Sequence, residues 1–289
     1  MSSIEIECVV DARAEIGEGP VWDDRENVLW WTDINGRCLH RFEPSSGKDT
    51  VFQTKIRVGC FAVREAGGLL LSAEHGIYEW TPGGPDPTHI MDIEADRADN
   101  RMNDGGCDRQ GRLVASSMNL ASPHQNTGAC WRVDGSFHST LLADGLQVGN
   151  GIAFSPDGTT MYLADTGAET VWSYPYDPAS GDIGERSVFV DTTALAGRPD
   201  GATVDAEGGY WLAGVSGSQL YRFTPEGDLD TTIDFPVELP TRPMFGGTDL
   251  DEIYVTSIRG AADAKPLAGG LFVIRGTGFI GLPEPRFNG

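Results

Sequence analysis

The chain of 289 residues is acidic, with 43 Asp and Glu against 21 Lys and Arg and a formal net charge of −22. That balance excludes nucleic acid and anionic membrane as partners, because a polyanion is bound by a basic face. No apolar run is long enough to span a membrane, and the opening MSSIEIECVV lacks the basic start of a secretory leader. The five cysteines, an odd count with no C-x-x-C spacing, fit a reduced, cytoplasmic protein better than a disulfide framework. The 38 glycines and 17 prolines suit a turn-rich all-β fold.

Residues 4–10 read as a strand. After it comes a unit that recurs along the chain. Residues 19–46, GPVWDDRENVLWWTDINGRCLHRFEPSS, give a strand, an acidic turn, a strand ending in Thr-Asp and a third strand. Further copies begin at Cys60, Asp104, Asn150, Asp200 and Pro243. The copy at residues 150–177 is the plainest. Ser155-Pro156-Asp157-Gly158 is a turn with φ pre-set by Pro and freed by Gly, and residues 160–165 and 170–176 alternate in the manner of half-buried strands. A period of about 41–50 residues is that of a four-stranded propeller blade. Six copies predict a six-bladed β-propeller, each blade drawing its fourth strand from the linking segment; imperfect copies leave five or seven blades compatible with the spacing. No linker or charge block divides the chain, so one domain is expected over residues 1–289. The strand at 4–10 is expected to form the outer strand of the last blade, so that N- and C-terminal segments close the ring and hide its edges.

Several familiar chemistries are missing. The sequence contains no G-x-S-x-G, H-E-x-x-H or P-loop pattern, and its five His residues show no ligand spacing. What remains is a set of polar residues at equivalent blade starts: Glu18, Asn103-Asp104, Asn150-Gly151 and Asp200-Gly201. The innermost strand of each blade lines the central channel, so these positions converge although they lie far apart in sequence. Asn-Gly and Asp-Gly are also common turn dipeptides. Here, however, they head the repeat, while the hairpin turns are supplied by Asp157-Gly158 and Glu207-Gly208. A Glu, an Asn and an Asp converging in a channel offer oxygen donors and two charges, which suits a hard divalent cation.

Six stretches, in this order, carry a resemblance to a known family: Gly17-Glu18-Gly19-Pro20-Val21-Trp22, Arg101-Met102-Asn103-Asp104-Gly105, Asn150-Gly151, Pro199-Asp200-Gly201, Phe245-Gly246-Gly247-Thr248-Asp249-Leu250 and Ala268-Gly269-Gly270. The chain resembles the SMP-30/gluconolactonase/regucalcin family from end to end. The resemblance implies a six-bladed propeller with one divalent metal ion in its channel and hydrolysis of sugar-acid lactones. It implies Glu18, Asn150 and Asp200 as metal ligands and Arg101 and Asn103 as substrate contacts. Calcium is the first expectation for the metal; zinc, manganese, magnesium or Fe(II) also suit oxygen donors. One departure concerns specificity. Many relatives carry an acid that binds the sugar shortly after a Gly-Thr-Met triplet, whereas this chain reads Ser116-Ser117-Met118-Asn119, which makes Asn119 the candidate substitute. Asp200 is expected to take the proton of the attacking water. Two alternatives stay open: a propeller hydrolase of other esters or phosphotriesters, and a non-enzymatic interaction scaffold.

Overall fold

The structure is a computed structural model describing residues 4–122, 124–261 and 265–289. Pro123, inside the 119–127 insertion, thus lies outside the described residues. The described residues form six four-stranded antiparallel sheets and no helix. Each sheet is a blade, and its innermost strand packs against those of the blades before and after it, closing a six-bladed β-propeller. The six inner strands are Gly17–Asp23, Val58–Val63, Asn100–Cys107, Gly149–Phe154, Arg198–Val204 and Pro240–Gly246. They are buried along nearly their whole length, while outer strands such as Leu229–Asp234 alternate with solvent.

The ring closes as the sequence predicts. Glu5–Val10 pairs antiparallel with Leu271–Arg275, from Glu5 opposite Arg275 to Val10 opposite Leu271, as the outer strand of blade six. Between neighbouring blades the core is aromatic and aliphatic. Trp22 stacks on Tyr254 across the seam between blades one and six, with ring centroids 5.7 Å apart. All five cysteines are free thiols, four of them buried.

Two features escape the sequence reading. The inner strands begin before the repeat boundaries read from the sequence; blade three's starts at Asn100 rather than Asp104. The C-terminal residues 276–289 also form a strap across the hairpin end of the ring. Ile280 O accepts from Ala206 N, Phe287 N donates to Val63 O and Asn288 N to Gly111 O, at 2.8, 2.8 and 2.9 Å. Phe287 is wholly buried between blades two and three, and Arg286 is ion-paired with Asp23. No helix among the described residues is long and apolar enough to cross a membrane.

Candidate metal and substrate site

Every inner strand carries a bulge at its start or middle. Pairing with the next strand skips between Glu18 and Val21, Val58 and Cys60, Met102 and Gly105, Asn150 and Ala153, Pro199 and Ala202, and Pro240 and Pro243. A bulge bends the strand and re-aims the side chain at it. Counted back from the hairpins, one and the same position in the six blades is filled by Glu18, Gly59, Asn103, Asn150, Asp200 and Thr241. The residues that stood out in the sequence therefore occupy one tier of the channel. Two glycines make the tier possible. A side chain at Gly59 would meet Met102 O at 2.4 Å, and Gly151 has φ of +57° and lies against the Tyr210 hydroxyl.

A chain of hydrogen bonds joins the tier across three blades. Arg101 Nη1 donates to Asn103 Oδ1 at 2.7 Å. Asn103 Nδ2 donates to Asn150 Oδ1 and to Gly149 O, both at 3.0 Å. Asn150 Nδ2 donates to Thr166 Oγ1 at 2.7 Å, and Thr166 Oγ1 donates to the carbonyl of Pro199, the residue before Asp200, at 2.7 Å. Asn103 is thus held by Arg101 on one side and Asn150 on the other. Asn150 Oδ1 keeps a second lone pair for another partner.

Both acids of the tier are buried, and the charge of Glu18 presses on Asp200. Burial first, and then the negative charge of Asp104, push the Glu18 carboxyl up to about 8. Burial and then Glu18 push Asp200 well above the ordinary carboxylate range, against the pull of Arg101. Burial brings the Arg101 guanidinium down to about 10, opposed by Glu18 and reinforced by the nearby cation of Arg57. Two desolvated carboxyls held this close lack positive charge. Two carboxylates and a carboxamide oxygen form a hard donor set that fits one divalent ion. No group of three or more His, Cys, Asp or Glu gathers as a metal cluster among the described residues.

Asn119 is the exception. It pairs with Asn100 across the first two strands of blade three, so it stands at the same end of the blade as Arg101 but on the other face. Its Oδ1 accepts from Ser122 N at 2.7 Å and its Nδ2 donates to Thr127 Oγ1 at 3.2 Å. It braces the 120–127 loop and lines a separate cavity of about 860 Å³ with Asn100, Asn126 and Asp144.

One step deeper lies an ion pair the sequence reading missed. Asp104 and Arg242 fill the bulge position next to the tier, in blades three and six, and face each across the channel. Arg242 Nη1 donates to Asp104 Oδ1 and to Gly105 O, both at 2.6 Å. The other Asp104 oxygen accepts from Ile152 N at 3.0 Å. Both side chains are buried.

The family model described as the SMP-30/gluconolactonase/LRE-like region matches residues 16–259. The chain belongs to that family. A 6-deoxy-6-sulfogluconolactonase of Pseudomonas putida is 36% identical to it over 290 residues, covering 98% of this chain and 99% of the relative. Regucalcin of Xenopus laevis is 32% identical over 299 residues, covering all of both chains. Among solved structures, a calcium-binding regucalcin from Agrobacterium tumefaciens superposes with a TM-score of 0.92 at 29% identity, over 97% of this chain and 96% of that one.

Proposed function

We propose that the protein is a lactonase that uses one divalent metal ion to hydrolyse a sugar-acid lactone to the aldonic acid. The observation that carries this reading is the convergence of Glu18, Asn150 and Asp200 on one tier, where Asn150 is hydrogen-bonded through Asn103 to Arg101. Its relatives support the substrate class, one being a sulfogluconolactonase. The calcium-binding regucalcin supports calcium as the first ion to try. An interaction scaffold has no use for two acids held against the cost of burial.

Glu18, Asn150 and Asp200 hold the ion in this account. When bound, it supplies Lewis-acid polarisation of the lactone carbonyl and stabilises the developing oxyanion. The remaining work belongs to the chain. Asp200 stands at the head of blade five with its carboxylate on the channel. It accepts the proton of the attacking water and returns it to the ring oxygen as the C–O bond breaks. Arg101 and Asn103 bind the hydroxyls of the polyol end. Asn103, fixed by donors and acceptors on both sides, offers a rigid contact of the kind that orients a substrate with little loss of entropy.

Acid release from glucono-, galactono- and xylonolactone, followed with a pH indicator, tests the reading. Hydrolysis of hydroxylated lactones well ahead of an unsubstituted aliphatic lactone is the expected result. An enzyme that opens none of them, or that prefers the aliphatic ring, contradicts it.

A further inference from the structure

Two residues before the channel tier, at or next to the start of each inner strand, stands one equivalent position of the blades. In blade three that residue is Arg101; in the neighbouring blade two it is Arg57, whose carbonyl accepts from Glu74 N at 3.1 Å. We propose that Arg57 is a specificity residue, acting with Arg101 as a pair of guanidinium groups that takes an anionic substituent, a sulfonate or phosphate, on the end of the sugar acid remote from the lactone carbonyl. The inference rests on the lactonase reading and names the substrate class within it.

Four observations support the pairing. The inner strands of blades two and three pack directly on each other, with Gly59 pressed against the backbone of Met102 and Asn103. Arg57 is half-buried and binds one carboxylate, Glu74, through Nη1 at 2.7 Å. Its Nε is buried with no hydrogen-bond partner. Arg101 spends Nη1 on Met102 O and Asn103 Oδ1, at 2.9 and 2.7 Å. Two cations in neighbouring blades therefore have donors to spare, near enough that the charge of Arg57 acts on Arg101. Once Glu18 is engaged by a cation, Glu74 is left as the carboxylate ion-paired beside them. A tetrahedral oxyanion accepts from two such forks at once. A neutral polyol end needs only Arg101 and Asn103, and leaves Arg57 without a partner for its Nε.

The test compares three substrates on wild type, Arg57→Gln and Glu74→Gln: glucono-δ-lactone, its 6-deoxy-6-sulfo form and its 6-phosphate. Binding of the three corresponding acids to the metal-loaded protein is measured by calorimetry alongside. Arg57→Gln is expected to lower the ratio of kcat/KM for the anionic over the neutral lactone by roughly 10-fold or more, mainly through KM, as for loss of a charge-assisted hydrogen bond. Glu74→Gln should move the ratio the other way, because it frees Arg57. Affinity for the anionic acids should follow the same order. The wild-type preference between sulfonate and phosphate identifies which of the two anions the pair serves. Equal losses on charged and neutral substrates, or no change in the ratio, overturn the Arg57 role and leave the lactonase reading standing. A wild type inert towards all three overturns the lactonase reading; the role of Arg57 is then decided by the binding arm, where a sulfonate or phosphate affinity indifferent to Arg57→Gln ends it.

Discussion

Asp200→Asn lowers kcat on an aldonolactone by about 100-fold or more with the metal site saturated. The substitution keeps an oxygen at the tier that still coordinates, so the fold and the ion survive. It removes one charge and the carboxylate proposed to accept the water's proton. Asn150 cannot replace it, because a carboxamide is not basic enough to take a proton from water. Glu18 cannot either, since it stands in blade one, where Oε2 accepts from Gly19 N at 2.9 Å. Metal content and kcat measured on the same preparation separate the two roles of Asp200. A variant with full metal and near wild-type kcat would refute proton transfer to this residue.

Asp104→Ala destabilises the protein by about 3–5 kcal/mol, because it leaves the buried Arg242 guanidinium without its carboxylate. Ile152 N loses its acceptor in the same step. This carboxylate is one of the ties between the bulges of blades three and four, which present Asn103 and Asn150. Arg242→Met alone leaves the opposite charge stranded and should be costly too. The double variant Asp104→Ala with Arg242→Met should cost clearly less than the two singles added together. Urea unfolding of the four proteins measures the coupling. Additive losses would mean that the pair, despite its 2.6 Å contact, does not act as a unit.

The fold was legible in the sequence because a blade has a period. Strand alternation and hairpin turns repeat, and the strands Thr160–Asp165 and Thr170–Pro175 fall where the alternation places them, give or take one residue. The inner-strand starts were less legible, since a bulge breaks alternation at the very residues that face the channel. That displacement hid Arg242. A repeat boundary set at Pro243 cuts it off, whereas matching Pro199-Asp200-Gly201 to Pro240-Thr241-Arg242 puts it on the channel wall. The strap at 276–289 has no period at all. Its anchor, Phe287, is one aromatic residue in a Gly- and Pro-rich tail, and only tertiary contact shows that it fills a gap between blades two and three. Arg57 was silent for a related reason: its kinship with Arg101 is a matter of register, and blade two carries Gly59 where the other blades mark the tier with a polar side chain.

The proposed activity requires a metal held by Glu18, Asn150 and Asp200. The direct measurement strips the protein with chelator, then follows lactone hydrolysis as calcium, and in parallel zinc, manganese, magnesium and Fe(II), is added back, at pH 6 and pH 8. Stripped protein should be inactive, and activity should return with one equivalent of bound ion. Protons compete for the same oxygens. Glu18 is pushed up to about 8 and Asp200 is raised as well, so ion binding must displace protons at pH 6 and its apparent affinity should strengthen as pH rises towards 8. Full hydrolysis by metal-free protein, or recovery that needs no bound ion, would contradict the account.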